Sequence, residues 1–599
     1  MKILSTILLS CLAMAGTGVA MAGVPTVEQR HASTDVMKRH SCDAIEIDGK
    51  TYKASHSAAN APKRLPVSNV IFEPQGEKRF YFKDSGGLYY YIMQTYAYDD
   101  RNVYLETVWG PDDKVYIKDI LSPIHLLDSY VEGTVSGNTI TVPMNQTVAY
   151  NANAGYGMNL VVMKAKFSSD SFSLEYEPSI QSVTYTIAED GSLTLNIPGS
   201  NYDGTGFPDY VLAYAYTDDN SWSDYCDYYQ TFRNFGYELN AMPEGVPQSH
   251  YVSQSYIYDY YSESFVKTEG IVNVAREGNT MYLQGLCQAL PEAVVKAEIN
   301  GNTATISQNQ FVGTWDDTYY IFTKVFEDNA LYDPSDPDSY KFDMAPANAT
   351  YDLVIDDAEG TIKSASTGYL VFNGDPDRII SLDIYSSYSM DYTESIGGIP
   401  SNPEIIEYTE EYALDFGMSD FYFNFNPVLT DGSLLDTRYL YYTVYVDGKP
   451  IEFESTKGFN LCGELENRYE GFPGKSVYVP VSFDNYYDLN HIYGYYYVGI
   501  YQMYLETIGV QMAYMYDGKT TYSDIVTYNV ATEEITTAPG TPETPDTPGG
   551  NASVTALDGD VTVEYYTLQG VRLATPSAGI CIRKTVGPQG IKTEKVIYK

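Results

Sequence analysis

"VEGTVSGNTITV", Val131–Val142, returns later in the same chain as "VKAEINGNTATI", Val295–Ile306. Each reads as two short strands around a Gly turn, Ser136-Gly137 in one and Asn300-Gly301 in the other. Side chains alternate between the two faces of a strand. Val131, Val135, Ile140 and Val142 therefore share one face, and Val295, Ile299, Ala304 and Ile306 take the same places in the second copy. Glu132, Thr134, Thr139 and Thr141 face the other way, matched by Lys296, Glu298, Thr303 and Thr305. A slip of one residue would turn the whole apolar set to water. What the repeat keeps is the apolar pattern, while the outer-face charge changes sign between Glu132 and Lys296.

The likeness extends on both sides. Val115-Tyr116-Ile117 and Ile120 match Met281-Tyr282-Leu283 and Leu286, and Val131–Val148 runs in register with Val295–Val312. "MNLVVMKA" (158–165) resembles "TYYIFTKV" (318–325), "YTIAEDGSLTL" (185–195) resembles "LVIDDAEGTIK" (353–363), and "YVLAY" (210–214) resembles "YLVFN" (369–373). Two modules follow, 67–241 and 242–402, each an antiparallel meander expected to close as a barrel or a sandwich. The fold class is all-β.

The full chain has 599 residues, which implies several domains. Lys+Arg is 36 and Asp+Glu 79, a net charge of -43. Such a surface repels phosphate backbones, so nucleic acid is excluded as a partner, and anionic lipid is a poor one. Neutral glycans and proteins remain. Lys2, the apolar run Ile3–Val19 and Ala20-Met21-Ala22 have the layout of a secretory signal peptide cleaved after Ala22. A rival reading is lipoprotein processing at Cys11. After Ala22 no apolar stretch approaches the ~20 residues of a membrane-spanning helix. The expected location is outside the cell or on its outer surface.

Residues 23–66 form a polar leader with one hairpin signal, Asp48-Gly49. Residues 403–532 fall outside the repeat. Their Asp447-Gly448 and Asp517-Gly518 turns between alternating strands predict an immunoglobulin- or fibronectin-like sandwich. The Pro- and Thr-rich stretch 533–553 reads as a linker, and 554–599 as a small β tail.

The tail has Tyr566-Thr567-Leu568-Gln569-Gly570, then Gly579-Ile580-Cys581-Ile582, then Lys595–Lys599. It resembles the C-terminal sorting domains of secreted Bacteroidetes proteins of the type IX (Por) kind, with Cys581 where an aromatic or aliphatic residue is usual. "GNTMYLQGLCQALPEAVVKAEINGNTATI" resembles uncharacterised secreted β-repeat proteins of those bacteria. Their pattern is V-Y-I-Q-G-L…L-P-x-A-W-V-K-G, and Val294 stands here for the usual Trp. The resemblance implies export and a modular β architecture, and the family brings no established activity with it.

Signs of chemistry are sparse. Beyond the leader stand His125, His250 and His491; there is no G-x-S-x-G elbow and no H-E-x-x-H motif. Cys462 with His491 is a candidate Cys–His combination, set against structural roles for both. Cys42, Cys226, Cys287, Cys462 and Cys581 suit neither a disulfide scaffold nor a metal knuckle. Acidic loops at Asp333, Asp336 and Asp338 and at Asp375 and Asp377 are read as solvated turns or as calcium loops. Asn145-Gln146 and Asn309-Gln310 match between copies and are read as strand-end residues or as ligand contacts. Tyrosine, at 61 residues, suits half-wet strand faces. Exposed rings, with Trp109, Trp222 and Trp315 as further candidates, would suit a glycan or protein, while Tyr89 and Tyr496 are read equally as core residues. No cofactor is called for, and no residue is assigned a catalytic, ligand-binding or metal role. The leading expectation is a non-enzymatic binding protein outside the cell. A polysaccharide hydrolase with two carboxylates and an envelope spacer protein are the alternatives.

Overall fold

The computed structural model describes residues 70–540, apart from 92–93, 122–126, 128, 152–155, 168–170, 205, 261, 316–318, 334, 336–339, 414–415, 457–467, 471, 473, 484–488, 493–494, 501 and 503. Outside that span it describes only strands lying within 40–54 and 562–598. No helix among the described residues is long and apolar enough to cross a membrane.

The repeat is complete at the level of strands. The first module comprises β1 (Glu77–Tyr91), β2 (Gln94–Trp109), β3 (Lys114–Lys118), β4 (Tyr130–Ser136), β5 (Thr139–Pro143), β6 (Gln146–Asn151), β7 (Tyr156–Phe167), β8 (Ser171–Tyr176), β9 (Ser182–Ile187), β10 (Leu193–Asn196), β11 (Tyr210–Tyr216) and β12 (Trp222–Asn234). The second comprises β13 (Gln248–Asp259), β14 (Ser264–Glu277), β15 (Thr280–Gln284), β16 (Val294–Asn300), β17 (Thr303–Ser307), β18 (Phe311–Trp315), β19 (Tyr319–Asp328), β20 (Phe342–Met344), β21 (Thr350–Asp356), β22 (Thr361–Ser364), β23 (Tyr369–Asn373) and β24 (Ser381–Thr393). In each, eight strands close into an antiparallel barrel: β1-β2-β3-β4-β5-β9-β10-β12 and back to β1, and β13-β14-β15-β16-β17-β21-β22-β24 and back to β13. The remaining four form a side sheet that grows from the last barrel strand, β12-β11-β7 with β6 and β8, and β24-β23-β19 with β18 and β20.

The decisive hairpin falls as its pattern requires. Val131, Ile140, Val142, Val295, Ala304 and Ile306 are buried in the two barrel cores, with Val135 and Ile299 packed at their margins. Ser136 pairs with Thr139 and Asn300 with Thr303, so the turn residues are Gly137-Asn138 and Gly301-Asn302, one residue on from the sequence reading. Gly137 and Gly301 sit at φ +61° and +63°, which glycine adopts at least cost. Burying one such isoleucine stabilises the fold by about 2 kcal/mol.

Two further details differ from the sequence reading. "YVLAY" against "YLVFN" is one residue out of step. Leu212 and Tyr214 point into the first barrel core, while Leu370 and Phe372 do so in the second, and Val371 enters the side-sheet cluster. Both faces of these strands are apolar, so alternation carries no register signal. The tyrosines are also drier than a half-wet face implies. Tyr185, Tyr214, Tyr320, Tyr351, Tyr385, Tyr442 and Tyr514 are among the largest fully buried side chains. Buried hydroxyls find protein partners: Tyr388 donates to the Leu286 carbonyl at 3.0 Å, and Tyr351 and Ser364 Oγ are 2.7 Å apart.

An aromatic seam joins the barrels. Phe82, Tyr104 and Phe235 of the first module form one buried cluster with Phe311, Tyr320 and Phe322 of the second. The Tyr320 hydroxyl donates to the carbonyls of Tyr81 (2.9 Å) and Leu105 (3.2 Å) across it. Residues 404–538 make a two-layer sandwich, with β25 (Glu404–Ala413), β26 (Phe416–Asn424), β27 (Leu440–Val446), β28 (Leu489–Ile492), β29 (Tyr495–Ile500), β30 (Thr507–Tyr516) and β31 (Ile525–Asn529). One sheet runs β25-β26-β29-β28 and the other is built on β27-β30-β31, the A-B-E-D and C-F-G arrangement of an immunoglobulin-like domain. Asp447-Gly448 and Asp517-Gly518 form its two tight turns, all four residues at positive φ. Ile535–Ala538, inside the stretch read as linker, pairs with β31. His250 links the second barrel to the sandwich, with Nδ1 2.7 Å from Asn273 Oδ1 and Nε2 2.8 Å from the Tyr516 hydroxyl.

The leader hairpin predicted at Asp48-Gly49 is present, Ala44–Ile47 against Lys50–Ala54, and its second strand adds in parallel to β8. In the tail, Gly579–Gly587 pairs with Gly590–Tyr598.

Candidate functional site

The first barrel closes between β1 and β12, and that closure carries an irregularity. Gly87 pairs with Asp227 and Gly86 with Tyr229, so Tyr228 is an extra residue on β12. A β-bulge of this kind lets two successive side chains share a face. Asp227 and Gln230 point into the barrel, whereas Tyr228 packs against the side-sheet cluster outside it. The two glycines opposite are a condition of the arrangement. A Cβ on Gly86 would lie 2.4 Å from Tyr229 Cε1, and one on Gly87 would lie 1.9 Å from the Cys226 carbonyl oxygen.

Outside the bulge runs a continuous row of rings. Phe167 meets Phe207 (centroids 6.0 Å), Phe207 meets Tyr228 (5.6 Å), Tyr228 meets Tyr202 (5.3 Å), and Tyr202 stacks on Tyr229 at 5.9 Å and 5°. Phe167 is 40% exposed, and Tyr202, Phe207, Tyr228 and Tyr229 are partly so. The rim is polar: the Tyr229 hydroxyl donates to Asp99 Oδ1 at 2.5 Å, and Arg101 lies 3.8 Å from Asp99. Burial pushes the Tyr202, Tyr228 and Tyr229 hydroxyls upward from the ordinary phenol range, with the Asp99 hydrogen bond adding to the effect at Tyr229. They stay neutral donors at physiological pH.

Inside the bulge lies a dry polar network. Lys83, 1% exposed, places Nζ 3.6 Å from Oδ2 of Asp227, which is 0% exposed. Lys83 Nζ also donates to the Ile120 carbonyl at 2.7 Å. Tyr98 donates its hydroxyl to Asp227 Oδ1, and Gln230 donates Nε2 to Asp227 Oδ2 at 2.6 Å and to the Ile120 carbonyl at 2.7 Å. Tyr185 in turn donates to Gln230 Oε1. Burial raises the Asp227 carboxyl above the usual carboxylate range, opposed by the Lys83 charge and by its hydrogen bonds.

The second barrel has the same bulge with its chemistry exchanged. Ile257 pairs with Tyr385, Tyr256 with Ser387, and Ser386 is the extra residue. The glycine pair is thus replaced by Tyr256-Ile257, and the tyrosine pair by Ser386-Ser387. Position by position, Ser253 stands for Lys83, Tyr385 for Asp227 and Tyr388 for Gln230. Tyr388 gives the Leu286 carbonyl the hydrogen bond that Gln230 gives Ile120. Neither the Tyr228-Tyr229 pair nor the lysine–aspartate pair therefore recurs at the equivalent positions of the second module, whose rings Tyr258, Tyr260, Phe265 and Tyr369 form a separate cluster.

The residues singled out from sequence lie elsewhere. Gln146 accepts from the Glu132 N–H (2.7 Å) and donates to the carbonyls of Glu132 (2.8 Å) and Pro143 (2.9 Å). Gln310 does the same with the Lys296 N–H (2.8 Å) and the carbonyls of Lys296 (2.7 Å) and Ser307 (3.1 Å). Asn145 and Asn309 turn the chain before them at φ +63° and +64°. This matched pair is a fold device at a strand start. Asp375 is wholly buried in the seam and paired with Arg378 at 2.8 Å, not a solvated turn. Asp333 accepts from Ser335 N–H and Oγ in an exposed turn, and Asp336 and Asp338 lie outside the described residues. No metal-holding cluster occurs among the described residues. Trp109 lies under the Arg79 guanidinium at 4.4 Å, Trp222 is buried, and Trp315 stacks on Tyr319. Tyr89 is buried and Tyr496 packs on Phe423 and Phe425. Cys462 lies outside the described residues, as does the His491 side chain.

Sequence reading missed the ring row and the internal pair. The local signal for the former was "DSGGLYYY" against "YCDYYQ", a glycine pair and a tyrosine pair on two long strands. Comparison with family models, with curated proteins and with solved structures gives no match.

Proposed function

We propose that this is a non-catalytic binding protein that works outside the cell and takes a neutral glycan on the ring row of the first module. The observation that carries the reading is the contiguous run Phe167, Phe207, Tyr228, Tyr202 and Tyr229, partly exposed and edged by Asp99 and Arg101. Sugar rings pack their C–H faces on aromatic rings, and their hydroxyls pair with carboxylate and guanidinium groups at the edge. The net charge of -43 disfavours polyanionic glycans. The signal-like N-terminus and sorting-like tail support an extracellular setting.

Two clefts lie on the second module. One of about 400 Å³ is lined by Arg276, Asn302, Asp356 and Asp357. Its two acids are neighbours in a turn: Asp357 pairs with Arg276 at 3.0 Å, and Asp356 accepts the Ala358 and Glu359 N–H groups. The other, about 520 Å³, has Glu327 and Asp328, adjacent on β19. Neither offers the facing carboxylates of glycoside hydrolysis.

The test is a glycan array followed by calorimetry on the full chain. Binding of a neutral oligosaccharide that Tyr202→Ala or Tyr229→Ala weakens at least tenfold, with unchanged circular dichroism, is expected. An empty array, or binding indifferent to both substitutions, overturns the reading.

A further inference from the structure

Water keeps most lysine–carboxylate pairs ionic. Lys78, Lys114, Lys166, Lys267 and Lys475 all pair with glutamates, and every one of these lysine side chains is 34–61% exposed. Lys83 and Asp227 differ: their side chains are 2% and 0% exposed, and they meet inside the barrel. An ion pair there has lost the hydration of both charges. Moving one proton from the ammonium to the carboxylate leaves a neutral amine facing a neutral carboxylic acid, a nucleophile and its electrophile.

We propose that Lys83 and Asp227 are joined by an amide between Nζ and Cγ, a cross-link the first barrel forms on itself. The amine lone pair adds to Cγ. One Cγ–O bond then breaks, the amine proton leaves with that oxygen, and one water molecule is released. No oxidant, metal or further reactant enters the balance. The surrounding groups fit the step. Tyr98 and Gln230 each donate to one carboxyl oxygen, which polarises Cγ and stabilises the charge that develops on addition. Tyr185 fixes the Gln230 amide. The Ile120 carbonyl accepts from Nζ at 2.7 Å and holds the amine beside the carboxyl. Burial favours the protonated acid, which the reaction requires.

The link would join β1 to β12, the first and last strands of the barrel, at the one ladder whose pairing closes it. Opening the barrel from either end would then require breaking a covalent bond. The second module supplies an internal control, because Ser253 and Tyr385 stand at these positions and can form no amide. The inference does not depend on the glycan reading.

Mass spectrometry of the denatured full chain decides it. The expected mass is one water below that of the same chain with every amide and acid free. Digestion should yield a single branched species containing the peptides of Lys83 and Asp227. In Lys83→Met and Asp227→Ala the deficit disappears, and in Tyr98→Phe it is present in only part of the chains. Separate linear peptides carrying free Lys83 and free Asp227 from the natively folded protein overturn the proposal, whatever the variants do.

Discussion

Asn102 and Asp375 meet across the seam between the two barrels, Nδ2 donating to Oδ2 at 2.9 Å, with both residues out of water. The same carboxylate accepts from Arg378 Nε at 2.8 Å and from the N–H groups of Asp377 and Arg378. A single buried acid thus fixes its own loop and the neighbouring module. Asp375→Ala should cost about 2 kcal/mol in urea denaturation, because it leaves Asn102 Nδ2 and the N–H groups of Asp377 and Arg378 without their acceptor, while Arg378 itself reaches water. Hydrogen exchange should show the loss concentrated at the seam, around Tyr81, Leu105 and Tyr320. A loss spread evenly over both barrels would contradict this account.

Gln146 and Gln310 offer a paired experiment. Each holds three backbone groups at a strand start. Alanine at either position should cost about 1 kcal/mol, the net worth of hydrogen bonds at a partly hydrated strand start. Glutamate should not rescue, since it keeps the acceptor for the N–H but brings a carboxylate against two carbonyls. Equal stability of the Gln and Glu forms would show that the donor side is idle.

The two glycines opposite the bulge should respond unequally. Gly87→Ala drives a Cβ into backbone oxygen, which cannot move without shifting the strand, and should cost at least ~3 kcal/mol. Gly86→Ala meets side chains rather than backbone, the Tyr229 ring edge first and the Tyr228 ring next, at 3.2 Å. Its stability cost should be smaller, about 1–2 kcal/mol, while Tyr229 is pushed out of its stack on Tyr202. Glycan affinity should therefore fall more in Gly86→Ala than its stability does. Calorimetry and thermal melts on the same sample separate the two effects.

How much of this was legible follows from where each signal resides. The Val131–Val142 hairpin could be read because strand alternation and a glycine turn are local. The Asp447-Gly448 and Asp517-Gly518 turns were readable for the same reason. Closure as a barrel or a sandwich could be expected from the meander, but not which of the two, since the barrel rests on β1 pairing with β12 across more than a hundred residues and no local pattern encodes that partner. The register of β11 against β23 failed where both strand faces are apolar. Tyrosine burial was misjudged because the partner of a hydroxyl such as that of Tyr320 is the carbonyl of a distant strand. Lys83 and Asp227 illustrate the limit: each is an ordinary charged residue until the fold brings them to 3.6 Å.

Buried tyrosines should make the protein sensitive to alkali. Burial pushes the Tyr351 hydroxyl up to about 12, against some relief from Ser364, and Tyr369 likewise to about 12 through burial and then Asp328. An unfolded tyrosine ionises near 10, so between about pH 10 and 12 the unfolded chain gives up its proton first. The native state then binds more protons than the unfolded one, and stability falls as pH rises through that window. Below it these hydroxyls contribute no pH dependence. Tyr388, Tyr185 and Tyr214, shifted further by burial, act in the same direction. Tyrosinate absorbance should therefore rise together with loss of β circular dichroism in one steep transition. Tyr351→Phe should flatten the fall in stability over that range, by up to roughly 2–3 kcal/mol at its upper end. Ionisation of the buried tyrosines at pH 10 with the fold intact would show that their hydroxyls reach water after all.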